Sequence, residues 1–226
     1  FNKSTHLFPL FFILKLQYRF WCLRSPLSLL CVEFYQRIAN NGTMILKLRK
    51  TVAFVGMMGA GKTAIGRVVA QKLNSRFLDS DTEIELAANM SVSEIFTRDG
   101  ESFFRDREAE IIKRLLETET CILSTGGGAF ENDETRKAMS NHGMSLWLQV
   151  DLDLLWSRVK NKESRPLLNT PDPFGTLRDI FQERQDVYAL ADASVKANKD
   201  LSIDEMSDRV IDALLTRPDV LEQIHD

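Results

Sequence analysis

Gly56-Met-Met-Gly-Ala-Gly61-Lys62-Thr63 satisfies the pattern GxxxxGK[ST] at every position. Each residue type has a task in holding a polyphosphate. Glycine lets successive backbone N–H groups turn toward one point and lets a phosphate come close. Lys62 brings a compact charge to the β- and γ-phosphates, and the Thr63 hydroxyl suits Mg²⁺. A helix starting near Lys62 adds the positive end of its dipole. Gly59, Ala60, Gly61, Lys62, Thr63 and Ala64 are therefore the expected ATP-binding residues, with ATP and Mg²⁺ as cofactors and Thr63 as a metal ligand. Flavin and nicotinamide chemistry do not follow from this pattern.

A divalent cation also requires an acidic anchor, directly or through water. The apolar run Cys121–Ser124, where such an acid would stand, ends in Ser124-Thr125. The best substitute is Asp79-Ser-Asp81, after the strand candidate Arg76–Asp79. Residues two apart on an extended segment point the same way, so one carboxylate would face Mg²⁺ and the other a substrate hydroxyl. Taken alone an Asp-x-Asp is more often a solvated turn. Beside a phosphate-binding loop that lacks its own acid, the functional reading is preferred.

Two further stretches concern the acceptor. Phe96-Thr-Arg-Asp-Gly100-Glu101-Ser-Phe103-Phe104-Arg105-Asp-Arg-Glu108 places a turn at Gly100 and Phe104-Arg105 in the first turn of the helix after it. Ser124-Thr-Gly126-Gly127-Gly128-Ala129 puts three glycines directly after a strand, at the carboxyl edge where ligands of parallel sheets collect. From spacing alone, Arg105 and Arg184 would be exposed helix salt bridges and Arg165 a surface arginine. Glu108 and Phe96 would likewise be a helix-face acid and a core aromatic.

These motifs, with Arg165-Pro-Leu-Leu168 and Arg184-x-x-x-Tyr188-x-x-x-Asp192, give residues 44–226 a close resemblance to the shikimate kinases, in that family's order and spacing. The resemblance implies an α/β P-loop fold of the nucleoside-monophosphate-kinase type: a five-stranded parallel sheet flanked by helices, with a mobile lid. It implies transfer of the ATP γ-phosphoryl group to the 3-hydroxyl of shikimate. Asp81 would hold the ring hydroxyls and accept the proton, and Asp79 would orient Mg²⁺ through its water shell. Arg105 and Arg184 would clamp the shikimate carboxylate, and Gly127 and Gly128 would offer backbone contacts. Phe96 and Phe104 would wall the pocket, with Glu108 bracing Arg105. Arg165 would act from the lid together with Lys62 on the transferring group. The family's adenine-contacting segment corresponds to Val195–Asp200, in which no individual contact is assigned. Rival readings are a gluconate kinase-like enzyme and a nucleotide-binding regulator without catalysis.

The elements that must position these residues alternate. Short apolar runs at Thr51–Val55, Arg76–Asp79, Cys121–Ser124, Ser145–Val150 and Ser194–Ala197 read as strands. Between them lie helical stretches: Ile65, Val68, Val69 and Leu73 at helical spacing, Glu101 to about Thr118, Asp151 capping a helix to about Lys160, and Gly175–Leu190. Ser91-Val-Ser-Glu94 and Ser202-Ile-Asp-Glu205 have capping-box spacing and should each open a helix. Asn161–Phe174, with three prolines, reads as a mobile loop.

Residues 1–43 differ from the rest. They carry five basic residues against Glu33 alone, which leaves −7 for residues 44–226 out of a total of −3. No small-residue cleavage site follows the apolar run Leu7–Leu14, and Pro9, Lys15 and Arg19 interrupt any span of about 20 apolar residues. Residues 1–43 are therefore expected to be translated upstream sequence ahead of a domain starting at Met44, with a natural extension or a targeting segment as the other readings. Net charge −3 and a pI near 5.7 argue against a nucleic-acid partner. Three scattered cysteines give neither a disulfide framework nor a zinc site and point to a reducing compartment. The expectation is a cytoplasmic monomer acting on a small molecule, without a membrane partner.

Overall fold

The computed structural model describes residues 44–160, 166–168 and 170–225. Strand β1 (Met44–Leu48) turns at Arg49-Lys50 into β2 (Thr51–Val55), which is buried at all five positions. The phosphate loop follows, then helix α1 (Lys62–Lys72) and strand β3 (Arg76–Asp79). Helices α2 (Ser80–Ala88) and α3 (Val92–Thr118) lead to β4 (Cys121–Ser124). A short 3₁₀ turn, Ala129–Glu131, precedes α4 (Asp133–His142) and β5 (Gly143–Gln149). Then come α5 (Leu152–Val159), a 3₁₀ turn at Pro166–Leu168, α6 (Pro173–Tyr188), β6 (Ala193–Lys196), α7 (Ile203–Leu215) and β7 (Leu221–His225).

Strands β3-β4-β2-β5-β6 form one sheet in that order, every pair parallel. Parallel neighbours require crossovers, and the intervening helices supply them. Both faces are thereby covered, and Val52, Phe54, Ile122, Leu123, Leu146 and Leu148 are almost fully buried. The connection from β2 runs to β3 on one side and that from β4 to β5 on the other, and the register sets Phe54 and Asp79 opposite Ser124. The carboxyl ends of β2, β3 and β4 are therefore level, at the switch point where ligands of open α/β sheets bind. Helix α7 buries Met206, Val210, Ile211 and Leu214 and lies along α1, where Lys72 Nζ meets Asp204 at 2.7 Å and Asp208 at 2.6 Å.

Leu46–Gln223 form one compact unit; of the second, only residues 44–45 and 224–225, the outer ends of β1 and β7, are described. β1 and β7 form a separate two-stranded sheet.

Several local expectations are corrected. Asp79-Ser-Asp81 is not extended: Asp79 ends β3 and caps α2, its carboxylate accepting from the Asp81 amide at 3.2 Å. Short acidic side chains compete for free helix-start amides, and here that turns Ser80 and Asp81 into the first helical turn. Asp151 stands at the start of α5 but makes no cap hydrogen bond, lying instead 3.4 Å from Lys196 Nζ. Asp172 caps α6 through the Gly175 amide at 3.0 Å, so that helix begins at Pro173. Helix α4 is not evident in the sequence because only Thr135 and Met139 are buried, too thin a stripe to mark a period. Of the expected loop, residues 161–165 and 169 lie outside the described residues.

Candidate active site

The loop after β2 adopts torsions that favour glycine at Gly56, Gly59 and Gly61, with φ of 131°, 81° and 96°. Gly61 stands at the N-cap of α1 and, being glycine, brings no side-chain acceptor to the start of that helix. A row of uncapped amides at a positive helix end is a cradle for anionic oxygen. Lys62 is buried and its Nζ donates to the Gly56 and Met57 carbonyls at 2.7 and 3.1 Å, which holds the ammonium against the loop. Above the loop opens a cleft of about 470 Å³, lined by Gly59, Gly61, Lys62, Thr63 and Ala64 among others. Ala60 is buried, and its carbonyl and that of Gly59 accept from Arg158 Nη1 at 3.2 and 3.1 Å.

At the cleft floor Thr63 Oγ1 donates to Asp79 Oδ2 at 3.0 Å and lies 3.2 Å from Ser124 Oγ. This oxygen set, with one carboxylate, fits an ion that keeps phosphates and waters as its other ligands, as Mg²⁺ does. Among the described residues no group of three or more His, Cys, Asp or Glu is placed to hold a metal without such help.

A second cleft of about 100 Å³ adjoins the first, and Met58, Asp81, Gly126 and Gly127 line both. Its remaining walls bring together Phe96, Phe104, Arg105, Glu108, Gly128 and Arg184. Phe96 and Phe104 meet with centroids 4.7 Å apart, although a continuous helix would set residues eight apart about 12 Å apart along its axis. The cause is Gly100, with φ 85° and ψ 171°, which breaks α3 and folds its two parts toward each other. Gly128 has its own reason: a Cβ there would lie 2.6 Å from the Arg105 guanidinium carbon.

Three buried polar atoms in this second cleft have no hydrogen-bond partner: Asp81 Oδ1, Glu108 Oε1 and Arg184 Nη1. Buried polar groups are ordinarily paired, so a trio of orphans around one cavity marks the surface of a ligand with hydroxyl and carboxylate groups. Arg105 is held by Glu108 at 2.7 Å and by Glu101 at 3.0 Å. Burial raises the Asp81 carboxyl above its ordinary range, reinforced by Asp79 and opposed by Lys62 and Arg105. Burial likewise pushes Glu108 up to about 7, against the pull of Arg105. Tyr188, pushed up to about 12 by burial, donates to the Gly127 carbonyl at 2.5 Å and so ties α6 to the glycine run.

Asp81, Arg105 and Arg184, distant in sequence, thus converge beside the phosphate cradle, as do Gly127, Gly128, Phe96, Phe104 and Glu108. Arg165 lies outside the described residues, while Leu167 lines the second cleft. Sequence reasoning assigned no part to Arg158, Ser124, Leu201, Ile203 or Met206, all of which line the larger cleft. Of these only Ser124 ends a strand; Arg158 comes from α5, and Leu201, Ile203 and Met206 from the start of α7 and the turn before it, so their place in the cleft follows from helix packing.

Comparison with known proteins agrees with this geometry. The shikimate kinase family profile matches residues 58–215. The shikimate kinase of Ruegeria pomeroyi is 59% identical over 175 residues, 77% of this chain and 90% of that protein. That of Cereibacter sphaeroides is 52% identical over 184 residues, 81% of this chain and 92% of that protein. Among solved structures, the Acinetobacter baumannii shikimate kinase in complex with shikimate superimposes with a TM-score of 0.71 at 30% identity, covering 79% of this chain and 97% of that one. The phosphate cradle, the adjoining polar cleft and the continuous match across both have one common explanation: this chain belongs to the shikimate kinase family.

Proposed function

We infer that this chain transfers the γ-phosphoryl group of ATP to the 3-hydroxyl of shikimate, giving shikimate 3-phosphate and ADP on the route to chorismate and the aromatic amino acids. One observation carries the reading: a cradle for polyphosphate and a small cleft with two arginines and the buried carboxyl of Glu108 share a wall at Asp81. The match to relatives at 59% and 52% identity, both shikimate kinases, favours this reading over a gluconate kinase.

In phosphoryl transfer the protein mostly positions the reactants and compensates charge. The loop amides and Lys62 would hold the triphosphate, while Arg105 and Arg184 meet the acceptor's carboxylate, a planar anion suited to guanidinium forks. Asp81 would accept the hydroxyl proton; its burial raises its basicity above that of an exposed aspartate. Phe96 and Phe104 would exclude water that otherwise consumes ATP. Thr63 and, through water, Asp79 would hold Mg²⁺, which would supply charge neutralisation for the phosphates. Arg165, by resemblance to the family's lid arginine, would bring charge to the transferring group only when both substrates are present.

We place the enzyme in the cytoplasm as a monomer, without nucleic-acid or membrane partners. Among the described residues no helix is long and apolar enough to cross a membrane, and Cys121 is a buried free thiol. A coupled ADP assay over a panel of hydroxy acids tests the reading. Release of ADP with shikimate is expected; release with gluconate in its stead would overturn it.

A further inference from the structure

Glu131 ends the 3₁₀ turn that follows the glycine run, and no motif singled it out. Its backbone is held on two sides: its amide donates to the Gly128 carbonyl at 3.0 Å, and its own carbonyl accepts from Arg136 Nη1 at 2.7 Å. From that fixed point its carboxylate pairs with Nε of Arg184. Arg184 is buried, lines the smaller cleft and carries its Nη1 there without a partner, whereas Glu131 is exposed and is not among the residues lining that cleft.

A guanidinium is a rigid plane of five donors. An acid on its Nε edge restricts rotation of the group and leaves the other edge to a ligand. Arg105 is treated similarly, since Glu108 and Glu101 hold it from within its own helix. Helix α6 places no such acid on Arg184, whose partner comes instead from 53 positions earlier in the chain. We propose that Glu131 is a positioning residue for acceptor binding, holding Arg184 by Nε so that its Nη1 edge meets the substrate carboxylate. This inference rests on the substrate reading above and deepens it. The opposite role, an acid that occupies Arg184 until substrate displaces it, requires Glu131 to stand in the cleft.

The two roles differ in sign. In the full chain, Glu131→Ala is expected to raise the shikimate KM about tenfold, as the weakening of one charge-assisted hydrogen bond would, with kcat and the ATP KM little changed. Glu131→Gln keeps an oxygen that accepts from Nε and should restore most of the affinity. An unchanged or lowered shikimate KM in Glu131→Ala overturns the proposal. So does a parallel rise in both KM values, or a glutamine variant as impaired as alanine. If the unsubstituted chain shows no shikimate-dependent ADP release, the substrate reading fails and this inference with it. Normal turnover beside an unaffected Glu131→Ala overturns this inference alone.

Discussion

Buried Glu108 and half-buried Asp81 divide the work of the smaller cleft, and each makes a separate prediction. Asp81 faces both clefts with an unpartnered oxygen, which suits a proton acceptor between donor and acceptor. Asp81→Asn keeps the shape and removes the basicity. Shikimate-dependent turnover should fall at least about a hundredfold while nucleotide affinity stays nearly intact. Parallel assays of ADP release and nucleotide binding check this, and full activity would remove Asp81 from the mechanism. Glu108 bears instead on stability. Its carboxyl moves from 4.5 to about 7 on folding, so the folded chain holds a proton that the unfolded chain has released between those values. By linkage, the contribution of Glu108 to stability is fully present below that window and is lost as pH rises through it. Thermal unfolding of the ligand-free protein between about pH 5 and pH 8 should show this decline, and Glu108→Gln should remove most of it. An identical slope in the variant would refute the assignment.

Helix α3 shows how one element brings apart what the chain keeps together and together what it keeps apart. The capping box at Ser91 and Glu94 starts it, and a continuous helix would have carried Phe96 and Phe104 along parallel paths. Gly100 adopts a conformation that is essentially restricted to glycine, and the bend presses the two rings into one wall beside Arg105. An added Cβ at Gly100 meets nothing within 4 Å, so the penalty of Gly100→Ala is torsional alone, about 1–3 kcal/mol. The variant should melt at lower temperature and bind shikimate more weakly than ATP. Unchanged melting would mean that the bend relaxes without cost.

At the scale of the molecule, the five-stranded sheet and its covering helices belong to the unit Leu46–Gln223, as do both clefts. A fragment beginning at Met44 retains this whole unit and both strands of the small sheet. It should therefore fold cooperatively and turn over shikimate at a rate within about twofold of the full chain, since all five strands of the larger sheet lie after Met44. A tenfold deficit in coupled assay, or failure to melt as one transition, would assign residues 1–43 a part in the enzyme. N-terminal sequencing of the protein from its source would decide whether those residues are present there.

The phosphate cradle was legible in the sequence because its cause is local: glycine torsions, a lysine and a hydroxyl within eight residues, followed by a helix. The five core strands were legible for a similar reason, since short apolar runs between amphipathic stretches leave few other ways to bury themselves. The turn of Asp81 into a helix was not, because it depends on whether Asp79 spends its carboxylate on an amide or on an extended chain. Nor were β1 and β7, which the sequence reading left without structure at the two ends of the domain. Among the described residues each of those strands pairs with the other alone, and pairing between distant segments leaves no periodic trace in either. The grip of Glu131 on Arg184 is of the same kind. Residue types and spacing determined which groups this protein has for its chemistry; only the tertiary structure decided which of them face one another, because that follows from sheet register and helix packing between segments far apart in the chain.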